Sequence, residues 1–149
     1  MKLFFAAPTL LGPGSTILPG NWYRMMRRYG DQANWFIPFR EMVYEEIRRT
    51  EFPAAVSRRD CVFCCEDETG LVDFVTKQNR AGDELYEVES VEENPTLFRA
   101  DWSIVTGIGG QRVWDQLEEQ ARRYWSTQPT QDVEVLVASP VRVVRHIPR

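Results

Sequence analysis

The residue with the clearest capacity for chemistry is Glu134, a single acid inside the β-branched run "QDVEVLVASP". Val133, Val135 and Val137 share one register, and Glu134 alternates with Leu136 on the opposite face, so the carboxylate faces either solvent or a site. Glu87 and Glu89 in "YEVES" are weaker rivals, better suited to a structural or solvent-facing pair. Cys61, Cys64 and Cys65 crowd into "DCVFCCED". A zinc centre built on Cys-x-x-Cys needs a second pair of ligands, and the sole histidine, His146, is remote in sequence, so no metal is expected. Alternation from Cys61 to Cys64 fits a buried strand in which cysteine acts as a small apolar residue. Three thiols without a spaced framework point to a reducing compartment.

Several familiar catalytic patterns are absent. The chain has no P-loop, Gly-x-Gly-x-x-Gly fingerprint, His-Glu-x-x-His or Gly-x-Ser-x-Gly elbow. One histidine close to the C-terminal end leaves little room for a histidine-based triad. "GIGG" at Gly107 to Gly110 reads as a loop before a helix.

The elements that must position these residues follow from patterning. With 149 residues, 43% hydrophobic and 12% aromatic, the chain can bury the core of one domain spanning 1–149. A net charge of -4 argues against a dedicated nucleic-acid or anionic-membrane binder, although Arg24, Arg27 and Arg28 form a local basic cluster. "MKLFFAAPTLL" imitates a secretory signal, but Pro8 interrupts the apolar run and no small-residue cleavage site follows. No apolar stretch reaches the ~20 residues of a membrane span. The expectation is a cytoplasmic protein without a membrane partner.

Lys2 to Ala6 reads as a buried strand, and the stretch from Trp22 to Phe36 as irregular or a short helix before Pro38. "FREMVYEEIRRT" from Phe39 to Thr50 is an amphipathic helix with Val43 and Ile47 on one face and Glu45 paired to Arg49 on another. "DCVFC" gives a strand, and "EDETGLVDFVTKQN" a helix with Leu71, Phe74 and Val75 inward and Gly82 as its stop. "ELYEVESV" is a strand, and "GGQRVWDQLEEQARRYW" a helix with Trp114, Leu117, Ala121 and Trp125 along one stripe. "VEVLV" and "VRVVRHI" are strands joined at Ala138 to Pro140 by a bend or hairpin. Strands at both ends and helices between them predict an α+β fold with an antiparallel or mixed sheet.

Taken together, "LLGPGSTILPGNW", "VYEEIRRTEFPAAVSRRDCVFCCED", "ELYEVE", "ARRYW" and "VEVLVASPVRVV" resemble a bacterial family of unknown function that belongs with the ADP-ribosyltransferases. They are similar also to the small rifamycin-modifying ADP-ribosyltransferases. The resemblance implies an ADP-ribosyltransferase-like α+β fold, two small sheets forming a cleft with flanking helices, and bent NAD bound as substrate. Breaking the nicotinamide–ribose bond builds positive charge on the sugar, which a placed carboxylate stabilises. The resemblance assigns that catalytic role to Glu134. It gives Ser57 a hydrogen bond to ribose or the nicotinamide amide, and Arg58 a phosphate or nearby acids. The Gly/Pro-rich loop would form one wall of the cleft: Gly12, Gly14 and Gly20 let backbone approach a ligand, Pro13 and Pro19 hold turns, and Ser15, Asn21 and Trp22 complete it.

The chain departs from the pattern on its opening strand, where many ADP-ribosyltransferases carry His or Arg and "KLFFAAP" presents Phe4, Phe5 and Ala6. Arg24, Arg40 and Arg58 are candidates to compensate. The implied activity is mono-ADP-ribosyl transfer from NAD to a protein, nucleic-acid or small-molecule acceptor, with nicotinamide released. Two alternatives stand beside it. One is NAD hydrolysis by water; the other is a catalytically inactive interaction or regulatory protein on the same fold, as in a toxin or phage-conflict system.

Overall fold

The computed structural model describes residues 1–29, 35–105, 107–110 and 112–148. Among the described residues the strands are β1 (Lys2–Ala7), β2 (Thr16–Ile17), β3 (Val62–Cys64), β4 (Glu84–Ser90), β5 (Leu97–Asp101), β6 (Val133–Val137) and β7 (Val141–Ile147). The helices are α1 (Asn21–Tyr29), α2 (Phe36–Glu51), α3 (Glu68–Lys77) and α4 (Val113–Ser126), with a 3-10 turn at Trp102–Ile104. The fold is mixed α+β. No helix among the described residues is long and apolar enough to cross a membrane.

Two antiparallel sheets form, one in the order β1-β4-β7-β2 and the other β3-β6-β5. Alternation decides what lies between them. Leu3, Phe5, Tyr86, Val88, Val141 and Val143 of the first sheet pack on Val62, Cys64, Val135 and Val137 of the second. The outer face of the first sheet, with Phe4, Ala6, Leu85 and Ile147, is covered by Leu71 and Val75 of α3. On the outer face of the second, Leu136, Ala100 and Phe63 meet Val43, Tyr44 and Ile47 of α2 and Leu117, Ala121 and Trp125 of α4. Phe4 and Cys65 form an isolated bridge between the sheets, with N–H···O distances of 2.9 and 2.8 Å. Past that bridge the pairing stops.

Local chemistry fixes the helix ends. Asp67 caps α3 by accepting from the Gly70 N–H at 2.7 Å, and the helix is closed by Asn79 in the left-handed region (φ 54°), three residues ahead of the expected stop at Gly82. α2 starts at Phe36, before Pro38, because proline in a first turn lacks only an N–H that has no helical acceptor. Part of the stretch expected to be irregular or a short helix is α1; residues 30–34 of it lie outside the described residues.

Two further expectations are corrected, one is narrowed and one strand is added. β6 and β7 belong to different sheets, so Ala138 to Pro140 is a crossing bend and not a hairpin turn. β5 was not legible, because "LFRAD" places Arg99 in a short edge strand. Trp114 is 55% exposed, lying against Phe39 and bonding Glu118, and Tyr124 takes its place on the buried stripe of α4. Glu45 pairs with Arg48, one residue short of Arg49, because Arg48 lies nearer the face on which Ser57 and Ala55 close the turn.

Gly20 is the tightest backbone constraint near the cavity. It sits at φ +75°, its N–H donates to the Cys61 carbonyl at 2.8 Å, and a Cβ there would fall 2.7 Å from the Arg59 carbonyl oxygen. Gly20→Ala is expected to destabilise the protein by about 2 kcal/mol or more, from left-handed strain plus a backbone clash, as read by urea unfolding.

Candidate functional site

A cavity of about 460 Å³ opens where β1 and β3 part beyond the Phe4–Cys65 bridge. Phe5, Ala6 and Pro8 line one side and Phe63, Cys64 and Cys65 the other. Asn21, Trp22 and Met25 of α1, Arg40 of α2, Arg80 beyond α3, and Trp102 complete the walls, and Arg58 and Glu134 reach it from the second sheet's side.

The approach to this site starts at α2. Arg48 grips the Glu45 carboxylate through Nε (3.1 Å) and Nη2 (2.8 Å), and donates through Nη1 to the Ala55 carbonyl at 3.1 Å. Ser57 Oγ donates to the same Glu45 carboxylate at 2.8 Å and accepts from the Arg59 N–H. That clamp holds the 52–59 turn on the helix and directs Arg58 inward. Ser57 is thereby committed to the turn and does not line the cavity.

Arg58 is 7% exposed and Glu134 6%. The Arg58 guanidinium donates through Nε and Nη2 to Glu41 at 2.9 and 3.3 Å, and through Nη1 to Glu134 Oε1 at 2.8 Å and the Tyr124 hydroxyl at 2.6 Å. The Tyr124 hydroxyl in turn donates to Glu134 Oε1 at 2.7 Å. Phe63 and Tyr124 lie 4.7 and 4.9 Å from the guanidinium carbon, sheltering it from water. Burial raises the pKa of Glu41, but the charges and hydrogen bonds of Arg58 and Arg40 outweigh it and hold the carboxyl below its ordinary value. Burial, reinforced by Glu134, pushes the Tyr124 phenol well up, so it stays a donor.

Charge balance matters for what Glu134 can do. Glu41 offsets Arg58, and Arg40 contacts Glu41 from the cavity side at 3.1 Å, so two guanidiniums face two carboxylates. Glu134 Oε1 carries two hydrogen bonds, while among the described residues none falls on Oε2. The result is an immobilised carboxylate with one oxygen available at the wall of a largely apolar cavity. Two polar atoms of the lining are buried without a partner: Asn21 Oδ1 and Arg40 Nε. Such atoms cost free energy until something bonds them.

Of the residues singled out from sequence, the structure gathers Asn21, Trp22, Arg58 and Glu134 around one cavity. It does not bring Gly12, Gly14 or Ser15 there. The Gly14 N–H donates to the Val143 carbonyl, and Ser15 O accepts from the Val143 N–H, both at 2.8 Å, so this part of the loop extends the edge of β7. Arg58, expected on a phosphate or nearby acids, is bonded to acids. Glu41 and the Tyr124 hydroxyl were missed. A signal existed for Glu41, which stands three and four residues before Tyr44 and Glu45 on one helix face; nothing local marked Tyr124 as more than a core aromatic.

Arg58→Ala strands two buried carboxylates and is expected to cost about 3–5 kcal/mol of stability in chemical unfolding. The lowered Glu41 pKa fixes the sign of the pH dependence: its contribution is full above the unfolded carboxyl value of 4.5 and is lost as pH falls through the lower folded value. Unfolding free energies measured at neutral pH and in acid should show that loss in the parent and a smaller one in Arg58→Ala.

No curated protein matches the chain. The model of a family described as a protein of unknown function, DUF2441, matches residues 23–149, a span holding Arg40, Glu41, Arg58, Tyr124 and Glu134. The chain therefore belongs to the DUF2441 family.

Proposed function

We propose that the protein is an NAD-dependent mono-ADP-ribosyltransferase, with Glu134 as the carboxylate that faces the reacting ribose. The observation that carries this reading is the state of Glu134: buried to 6% exposure beside a cavity between two sheets, with Oε1 fixed by Arg58 and Tyr124. A carboxylate held so cannot turn away, and in this reading its second oxygen stabilises an oxocarbenium-like transition state or accepts a ribose hydroxyl proton. The motifs that resemble ADP-ribosyltransferases, "VYEEIRRTEFPAAVSRRDCVFCCED" and "VEVLVASPVRVV" among them, imply the same assignment.

Phosphate recognition falls to Arg40 in this reading. The opening strand lends Phe5 and Ala6 to the cavity and no cation. Arg24 does not line the cavity and donates to the Pro19 and Leu18 carbonyls, and Arg58 is committed to Glu41 and Glu134. Arg40 lines the cavity with an unpartnered Nε, and Arg80, paired with Asp83, lines it too. Asn21 Oδ1 accepts from an amide or ribose hydroxyl. Trp22 and Trp102 supply faces for a planar base. The lack of a cavity-lining cation from β1 favours a second reading, a non-catalytic binding module on this fold.

Calorimetric titration with NAD and an assay of nicotinamide release, with and without cell lysate, separate the readings. Glu134→Gln should lower release by about 100-fold or more while keeping NAD affinity within a few-fold. Arg40→Met should weaken NAD binding about tenfold, as loss of one charged hydrogen bond does. Release that persists in Glu134→Gln, or a parent that does not bind NAD, overturns the transferase; NAD bound but never cleaved selects the binding module.

A further inference from the structure

We propose that Arg24, Arg27 and Arg59, gathered around Tyr23 and Gly20, bind the phosphate backbone of a single-stranded nucleic acid beside the mouth of the cavity. The helix α1, "NWYRMMRRY", holds three arginines and no acid, within a chain whose net charge is -4. The fold adds a fourth cation from a distant segment. Arg27 and Arg59 approach the same Tyr23 ring, at 5.8 and 5.2 Å from its centroid. Arg24 Nη1 and the Arg59 carbonyl both close on Gly20, at 3.2 and 2.7 Å from where its Cβ would be. The left-handed turn at Gly20 is therefore what brings α1 and the 57–61 segment together.

Among the described residues no carboxylate neutralises these three guanidiniums. Arg24 donates to backbone carbonyls, and Arg27 and Arg59 lie over Tyr23. An uncompensated cluster of forked cations suits a polyanion whose charges repeat along a chain.

The rest of α1 narrows the choice of polyanion. Met26 is buried, and Trp22 and Met25 line the cavity with Met25 still 43% exposed, so the outward side of α1 is Arg24, Arg27 and Arg28 with one methionine beside them, too little apolar surface to anchor in lipid. A single strand offers phosphates and unstacked bases together, which matches arginines set beside Trp22; a duplex would leave the aromatic unused. The proposal concerns binding alone and does not depend on NAD chemistry.

The test is fluorescence anisotropy of a labelled short oligonucleotide with the full chain, without NAD. Single-stranded RNA and DNA, the matching duplex, phosphatidylserine vesicles and polyglutamate serve as parallel ligands. With three phosphates engaged at a slope of about -0.7 each, affinity for the single strand should fall roughly 20-fold between about 50 and about 200 mM salt. The double variant Arg24→Ala/Arg27→Ala, both exposed positions, should reduce that slope by about 1.4 and keep the parent circular dichroism. Arg122→Ala, which removes an exposed arginine paired with Glu51 and Glu118, should leave affinity unchanged. Absence of salt-dependent binding, equal or tighter binding of duplex, vesicles or polyglutamate, or a double variant as tight as the parent overturns the proposal. Because NAD is absent throughout, its failure leaves the transferase reading untouched, and failure of that reading leaves this one.

Discussion

A buried guanidinium governs the arrangement of this molecule. Arg58 sits where α2, α4 and β6 converge, and each supplies one partner: Glu41, Tyr124 and Glu134. An arginine cannot shed its charge to escape burial, so the surrounding elements must deliver carboxylates at hydrogen-bond distance or the region does not close. The fork geometry makes that demand directional, with Nε and Nη2 toward α2 and Nη1 toward β6. The Glu45–Arg48–Ser57 clamp serves the same end from outside, because it fixes the turn from which Arg58 departs.

The same low-polarity surroundings that strengthen this network silence the sulfur atoms nearby. Cys64 and Cys65 line the cavity, yet burial pushes both thiols up, Cys65 to about 12, and burial raises Cys61 well above its ordinary value despite Arg58. They are protonated packing groups at neutral pH. None of the three therefore offers a thiolate nucleophile at neutral pH.

Much of the fold was legible because its signals are local. The alternation of "VEVLV" identified β6, and the periodicity of Val43 and Ile47 identified α2. The strand β5 escaped notice because an edge strand is specified by its neighbour's open hydrogen-bonding groups more than by its own pattern. The site was half legible. Glu134 stood out as an acid in an apolar run, whereas Tyr124 and Glu41 acquire a role only through contacts 10 and 17 residues or more away in the chain. The Gly/Pro-rich loop was read as one wall, but it divides: its first half is stitched to β7, and only Asn21 and Trp22, carried past Gly20, reach the cavity.

The lone bridge between Phe4 and Cys65 has a mechanical meaning. Within each sheet, strands are held by ladders of hydrogen bonds, but across the gap the backbones share a single pair among the described residues. The spacing between Phe5 and Phe63 is thus set by side-chain volume, chiefly Val135 and Val137 against Val88 and Val143, as the thickness of a shim sets the opening of a hinge. Cavity width and core composition are one variable, so a methyl group added or removed in the sandwich alters the shape offered to a ligand that never touches it.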